Sequence, residues 1–443
     1  MIMKDLTKGP IGKQLLLFSI PIMLGCIFQM FYNLADTRIV GSILGKNALA
    51  AVGATTSLSN LIIGFLTGMT NGFSILIART FGAKMFDDMK KAVSACFTLG
   101  VIVTGILTII SVGFLPQILT LMNMPEKHMQ EGTEYIRIIL AGMMITMFYN
   151  LFAGMLRAIG DSVAALVFLV LSTILNVILD LLMVPGMGVC GAAYATIMAQ
   201  LFSVLLCILY IWKKYKLLHP VKKYLKPTKE LACQMLANGF SMGFMSSFVS
   251  FGSVVLQGSI NTFGTNIIVS HSASRRLTEF FMLPFSIFGM TMTTFCSQNM
   301  GAEKYDRIKR GLHLTLVAVW IWCTLVIIVS FSPLTPVLIQ MITGTNEPEV
   351  LSTSHIYMKV NTPLYYITTF ICVFRNALQG IGDRITPIVS SAIEMFGKIA
   401  VVIFLTPYWG YYGIMVSEPL TWIVMVIPLC VQYVKNPVFR KHK

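Results

Sequence analysis

The sequence predicts an all-α integral membrane protein with twelve transmembrane helices. These helices form two six-helix bundles related by a pseudo-twofold axis along the membrane normal. Of the 443 residues, 56% are hydrophobic and only 12% are charged, which is far too apolar for a soluble globular protein. The apolar residues form runs of about 20 or more, long enough to cross a hydrocarbon core of ~30 Å as helices. A transmembrane barrel would need short alternating segments instead.

Twelve apolar runs follow one another along the chain, six on each side of a single long polar segment. The predicted spans are 13–38, 48–78, 90–115, 131–158, 163–184 and 188–212, then 231–260, 266–298, 310–332, 353–380, 385–407 and 411–434. We therefore divide the chain into an N-terminal lobe (1–212), a basic linker (213–230) and a C-terminal lobe (231–443). Prolines inside the spans, such as Pro21, predict kinks.

The two halves repeat one pattern of glycines and polar residues at fixed offsets. Gly45, Asn47, Gly82, Asp87 and Lys90 recur as Gly264, Asn266, Gly301, Asp306 and Lys309, and Gly160, Asp161 and Gly188 recur as Gly382, Asp383 and Gly410. Six spans are an even number, so the second copy enters the membrane in the same orientation as the first. This predicts parallel repeats with a working cavity between the lobes.

The net charge of +15 falls on one side of the predicted membrane. Seven lysines fill the linker alone, namely Lys213, Lys214, Lys216, Lys222, Lys223, Lys226 and Lys229, whereas the opposite loops 185–187 and 261–265 carry no charge. The protein is predicted to lie in the inner (cytoplasmic) membrane of the cell. The positive-inside bias then places both termini and the linker in the cytoplasm. The same placement argues against a nucleic-acid partner, the alternative explanation of a basic tract.

Ionisable side chains inside the first-lobe spans predict a cation site, because a charge at mid-membrane costs roughly 2.5–3.5 kcal/mol. Asp180 follows Asn176 by one helical turn, so the two share a face. Asp36 lies near the outer end of the first span, and Thr196 and Asn150 could add oxygen ligands. Such a pocket suits a proton or a sodium ion. The alternative is a set of polar groups satisfied by neighbouring helices.

The second lobe is charged differently at the corresponding positions. By the repeat offset, Lys398 replaces Asn176, Val402 replaces Asp180 and Glu418 replaces Thr196, so this lobe cannot reproduce the same cation site. Glu394 and Lys398, four residues apart, predict a structural ion pair. Glu418 is instead a candidate for binding a cationic substrate, and Glu279 and Lys398 are further candidates for the substrate cavity.

The sequence lacks the complete motifs of common enzyme classes and of ATP-driven transport. The segment from Gly41 to Lys46 resembles a P-loop, but it is one residue short and Asn47 replaces the required Ser or Thr. The nine cysteines are scattered singly, without metal-ligand spacing. No hydrolase triad or metalloprotease motif is present in the sequence. The remaining prediction is transport driven by an ion gradient, without a cofactor.

Four segments resemble the multidrug and toxic compound extrusion (MATE) family, in its DinF-like branch: Asn33–Gly41, Gly45–Gly53, Leu156–Asp161 and Gly188–Ala193. With the duplicated six-span plan, the resemblance covers nearly the whole chain. It implies twelve helices, alternating access, and export of organic cations against inward H⁺ or Na⁺.

Carried over residue by residue, the resemblance implies a cation site of Asp36, Asn176, Asp180 and Thr196, which are also the metal ligands if the ion is Na⁺. It adds Asn150 and Tyr135 as neighbours and Pro21 as a conformational hinge in the first helix. Glu418 and Lys398 have no family counterpart.

The sequence therefore predicts a secondary active multidrug efflux transporter that works as a monomer. Its expected partners are small-molecule drugs, organic cations and membrane lipids. Two alternatives stay open at this point. One is a lipid-linked precursor flippase of the same superfamily, and the other is an ion channel.

Overall fold

The computed structural model describes residues 5–122, 124 and 126–440, which fold as helices and short connections without a strand. The first half contains α1 (Ile11–Gly45), α2 (Ala50–Gly82), α3 (Phe86–Gly113), α4 (Leu115–Leu121), α5 (Glu126–Ala141), α6 (Met143–Ala158), α7 (Ser162–Met187) and α8 (Val189–Lys214). The second half contains α9 (Lys229–Ile260), α10 (Thr265–Gly301), α11 (Tyr305–Phe331), α12 (Leu334–Thr343), α13 (Pro348–Asn361), α14 (Tyr365–Ile381), α15 (Ile385–Trp409) and α16 (Tyr411–Lys435).

Within the described residues, ten of these helices are long and apolar enough to span a membrane. The predicted spans 131–158 and 353–380 are not single straight helices. The first is the pair α5–α6, bent by 47° at Gly142, where a Cβ atom would lie 2.3 Å from Ile197 Cδ1. The second is the pair α13–α14, interrupted by the 3₁₀ turn Thr362–Leu364, which contains Pro363. By length and composition, counting the bent pair α5–α6 as one span gives eleven of the twelve predicted spans in the described ranges, and the predicted all-α membrane fold is confirmed.

The internal repeat is visible in the backbone itself. Gly160 and Gly382 have φ angles of 85° and 102°, and Gly188 and Gly410 have φ angles of 60° and 55°. Lys84 and its counterpart Glu303, the two non-glycine residues with positive φ in the described ranges, have φ angles of 58° and 56°. Left-handed backbone is costly for residues other than glycine. Matching it at these positions shows that the two copies share their backbone geometry there, although Gly45 and its counterpart Gly264 differ, with φ angles of 83° and −61°.

Contacts between residues divide the chain into two units that are not contiguous in sequence. Among the described residues, the first unit contains 5–7 and 20–247, and the second contains 8–19 and 248–440. The predicted lobes differ from these units at two places, because the start of α1 belongs to the second unit and the first part of α9 to the first. The boundary between the two parts of α1 lies between Ser19 and Ile20, one residue before Pro21. The helical backbone is continuous there.

A glycine seam joins α2 to the first part of α9 inside the first unit. A Cβ atom on Gly68 or Gly72 would lie 2.4 Å from the carbonyl oxygen of Met242 or Asn238, respectively. Glycines on α9 meet the same helix from the other side, since a Cβ on Gly239 would lie 2.6 Å from Phe73. Two helices can approach this closely only where side chains are absent. The seam explains why this part of α9 belongs to the first unit.

The predicted linker packs on the first unit. The Val221 N–H donates to Ser94 Oγ at 2.9 Å, and the Thr98 hydroxyl donates to the Leu225 carbonyl at 2.6 Å. Tyr224 donates to Asp87 at 3.0 Å. Short 3₁₀ helices at Lys216–Leu218 and Lys222–Tyr224 shape the segment.

Candidate functional site

Helices α7 and α8 bring together three of the residues predicted to bind a cation. Asn176 and Asp180 lie one turn apart on the buried face of α7, with 2% and 0% exposure. In the orientation that satisfies both of its amide atoms, Asn176 donates to Asp180 Oδ2 at 2.9 Å. The same amide accepts from the backbone N–H of Thr196 on α8 at 3.2 Å. The amide therefore fixes the position of the Asp180 carboxylate.

Asp36 on α1 completes a pair of carboxylates. The carboxyl groups of Asp36 and Asp180 lie within electrostatic range of each other. One oxygen of each, Asp36 Oδ1 and Asp180 Oδ1, is buried without a hydrogen-bond partner among the residues that the structure describes. Buried polar atoms are normally satisfied, so each unsatisfied one needs an explanation. An unsatisfied oxygen on each of two neighbouring carboxylates is the arrangement expected of an acceptor site for a cation.

Two tyrosines border the carboxylate pair. The Thr196 hydroxyl donates to the Ala192 carbonyl at 3.0 Å, which leaves its oxygen to accept from the Tyr32 hydroxyl at 3.3 Å. Tyr135 on α5 lies within electrostatic range of both Asp36 and Asp180. Tyr32 was not identified from the sequence, although it lies one turn before Asp36 on the same helix.

Asn150 is the predicted neighbour that the structure does not connect to this site. Its side-chain nitrogen donates to the Thr146 carbonyl of its own helix at 3.0 Å. Thr146 in turn donates to Gln200 Oε1 at 2.6 Å. The side-chain N–H group of Asn150 is therefore bonded to the backbone of its own helix and not to the carboxylate pair.

The second unit contains a ladder of five alternating charges across four helices: Arg275, Glu418, Lys398, Glu394 and Arg375. Arg275 Nη1 lies 2.6 Å from Glu418 Oε1, and Lys398 Nζ lies 3.7 Å from the same oxygen. Lys398 Nζ also lies 2.9 Å from Glu394 Oε1, and Arg375 Nη1 lies 3.8 Å from Glu394 Oε2. The Glu394–Lys398 contact has the spacing of the predicted ion pair.

Val402, the counterpart of Asp180, lies in a π-helical turn at Val401–Leu405 within α15. A π turn shifts the register of the side chains that follow it. This position of the second copy therefore differs from the first in backbone as well as in residue type.

A polar cavity of about 230 Å³ opens next to the ladder, inside the second unit. Arg275, Glu279 and Glu418 line it, and so do His271, Tyr357 and several serines. Of the three predicted substrate residues, Glu279 and Glu418 thus face this cavity, whereas Lys398 lies behind Glu418. The sequence indicated that these spans contain charged residues, but it did not predict the ion pair between Arg275 and Glu418.

Comparison with known proteins identifies relatives along the whole chain. A family model described as MatE matches residues 21–182 and 241–404, together well over half of the chain. The chain is 26% identical over 436 residues to "Probable multidrug resistance protein YoeA" of Bacillus subtilis, covering 95% of this chain and 93% of that protein.

Two further similarities agree with this. The chain is 21% identical over 416 residues to "Multidrug export protein MepA" of Staphylococcus saprophyticus, covering 93% and 90% of the two chains. A solved structure described as the "outward-facing conformation of a multidrug resistance MATE family transporter" superposes with a TM-score of 0.88. It shares 22% identity over 99% of this chain and 98% of that chain.

Proposed function

The chain belongs to the MATE family of multidrug efflux transporters, and from this premise we propose that it exports drugs and organic cations against an inward flow of H⁺ or Na⁺ by alternating access. The observation that carries the proposal is the Asp36–Asp180 pair with one buried, unsatisfied oxygen on each carboxylate. We place the protein in the cytoplasmic membrane, with both termini inside and a single chain as the working unit.

Electrostatics explains why this pair would couple transport to a cation. Two ionised carboxylates a few ångströms apart in a medium of low dielectric repel each other strongly. A proton between the two groups, or a sodium ion bound by both, removes the repulsion. A conformation that brings the two carboxylates together should therefore bind the cation more tightly than one that separates them. A coupling site requires such a difference in affinity between conformations.

The residues around the pair fit either ion. A proton needs only the two carboxyl groups and the Asn176 amide that orients one of them. Sodium would use oxygens of Asp36, Asp180, Asn176 and Thr196, a set of hard oxygen ligands. Tyr32 and Tyr135 would then close the pocket.

The driving force is adequate for useful export. One charge that moves inward across ~100 mV supplies about 2.3 kcal/mol. This corresponds to roughly a 50-fold gradient of substrate, since about 1.36 kcal/mol is a factor of ten. Any pH or sodium gradient adds to it.

The proposal is tested in proteoliposomes that contain the purified protein, with ethidium as substrate and with pH and sodium gradients imposed separately. We expect efflux to follow at least one of the gradients. We expect Asp180→Asn to reduce efflux to the leak of protein-free liposomes while the protein still inserts and elutes as a single species. Removing one carboxylate abolishes the repulsion that the cation relieves.

Asp88→Asn is the matched control, because Asp88 is a partly exposed acid near the start of α3 that pairs with Lys91 at 2.8 Å. It should retain normal efflux. Normal efflux in Asp180→Asn would refute the coupling role. Passive ion conductance without substrate would instead favour a channel.

A further inference from the structure

The charge ladder of the second unit is not used by the proposed coupling site. Its five members lie on α10, α14, α15 and α16. Two of them, Lys398 and Glu418, occupy the repeat positions of Asn176 and Thr196 but carry charges that the first unit lacks there. Buried ion pairs rarely add stability beyond well-packed apolar side chains, so they often serve another purpose. The polar cavity beside the ladder indicates what that purpose is.

The ladder carries one uncompensated positive charge. Arg275, Lys398 and Arg375 are three cations, whereas Glu418 and Glu394 are two carboxylates, and each carboxylate contacts two of the cations. Lys398 and Arg375 are buried, with side-chain exposures of 3% and 12%. Arg275 has 30% exposure and lines the cavity. The excess positive charge is therefore presented to the cavity through Arg275.

A negative charge lies on the same wall. Glu279 follows Arg275 by four residues on α10, so the two share a helix face about 6 Å apart along the axis. Glu279 is exposed and lines the cavity, and it forms no ion pair within 4 Å in the described ranges. One wall thus offers a guanidinium and an exposed carboxylate one helical turn apart and within electrostatic range of each other.

We propose that this cavity binds a compact zwitterion of the amino-acid type, with its carboxylate on Arg275 and its ammonium group on Glu279. The guanidinium retains N–H groups beyond the one that Glu418 accepts, and a planar fork suits a carboxylate. Ser272 and Ser253 supply hydroxyls, and Leu256 and Ile260 supply an apolar wall for a side chain.

The size and charge of the cavity favour a zwitterion over a drug-sized cation. Its volume of about 230 Å³ lies below the roughly 300–1,000 Å³ of sites that enclose drug-sized ligands. A plain cation would have no carboxylate to offer the guanidinium of Arg275, and a plain anion would face the carboxylate of Glu279. A molecule with both groups satisfies both charges. That the bound zwitterion is also exported rests on the proposed transport function.

Three probes with the same ring and different charges test the proposal. We would measure equilibrium binding of L-phenylalanine, phenylethylamine and phenylpropanoate to the purified full-length protein in lipid nanodiscs, without any ion gradient. We expect L-phenylalanine to bind at least about tenfold more tightly than either of the other two. Equal binding of phenylethylamine and L-phenylalanine, or no saturable binding of L-phenylalanine, would overturn the proposal.

Glu279→Gln is the decisive variant, because its side chain is exposed. It should weaken L-phenylalanine binding and strengthen phenylpropanoate binding, so that the two probes bind about equally. Arg276→Gln is the matched control, since Arg276 is the exposed neighbour of Arg275 that does not line the cavity. Unchanged L-phenylalanine binding in Glu279→Gln would refute the proposed contact.

Arg275 needs a variant that does not leave Glu418 unpaired. Arg275→Lys keeps a cation beside Glu418 but removes the fork, so it should weaken the zwitterion and phenylpropanoate together. Equal binding to Arg275→Lys and to the unmodified protein would contradict a role for the guanidinium. Asp180→Asn should still bind L-phenylalanine, which separates failure of this site from failure of the proposed coupling.

Discussion

Single side chains decide how helix ends are held together in the first unit, and Asp161 is the clearest case. It begins α7, where its Oδ1 accepts from the backbone N–H of Ala164 at 3.1 Å. Its Oδ2 accepts from the hydroxyls of Tyr210 at 2.8 Å and Tyr215 at 2.6 Å, and Lys214 Nζ lies 3.6 Å away. Burial alone would raise the pKa of Asp161, but these hydrogen bonds and the lysine charge outweigh it and lower the pKa below its usual range.

Asp161→Asn should lower the free energy of unfolding by about 2 kcal/mol at pH 7, because hydrogen bonds to a charged acceptor and a helix cap are lost. A lowered pKa means that the carboxylate stabilises the fold above the unfolded-state pKa of about 3.9 and ceases to do so as the pH falls through the lower folded-state value. Thermal unfolding of both proteins in detergent at several pH values checks this. The difference should shrink below about pH 4, and a constant difference would contradict the charge-based explanation.

The residue scale also shows what the sequence could predict about the site. The pairing of Asn176 with Asp180 follows from their spacing on one helix, and the structure brings them together. Arg275 and Glu418 are 143 positions apart. Their contact depends on how α10 and α16 pack, which local spacing does not determine.

At the scale of elements, the glycine seam between α2 and α9 is a packing device with a clear sequence pattern. Gly68 and Gly72 form one small-xxx-small motif, and Gly239 and Gly243 form another. Either motif alone is common in membrane helices. Their facing arrangement was not predicted, because pairing α2 with α9 joins segments that the predicted lobes kept apart.

Gly72→Ala should destabilise the protein by about 1–3 kcal/mol, because its methyl group would lie 2.4 Å from the Asn238 carbonyl oxygen and force the helices apart. The control is Gly53→Ala on the same helix, where an added Cβ has no atom within 4 Å. Gly53→Ala should be neutral or slightly stabilising. The unfolding temperature of both variants in the same detergent gives the comparison, and equal effects would argue against the seam.

The broken spans are a second lesson at this scale. Apolar runs indicate that a segment crosses the membrane, but they do not indicate whether the segment is a single straight helix. The first break lies at Gly142, where the absence of a side chain leaves room for Ile197, and the second is a short 3₁₀ turn that contains Pro363. Only the second had a local signal, since proline removes a backbone donor.

For the whole molecule, the distribution of basic residues predicts the orientation in the membrane. In a cysteine-free background, Lys222→Cys should react with a membrane-impermeant maleimide only after the cells are permeabilised. Thr262→Cys, in the turn between α9 and α10, should react in intact cells. The reason is that the linker is strongly basic and the turn is uncharged. The reverse labelling pattern would overturn the assigned topology.

The non-contiguous units have a consequence for how the protein is made. Residues 8–19 are synthesised before most of the first unit, yet they belong to the second, and the first unit is complete only after Ser247 has been synthesised. Domains usually fold as units in the order of their synthesis. Here the first unit needs the start of α9 from beyond the linker, and residues 8–19 must stay available for the second unit while the first one forms. Folding of the first unit is therefore expected to finish only after translation has passed the linker.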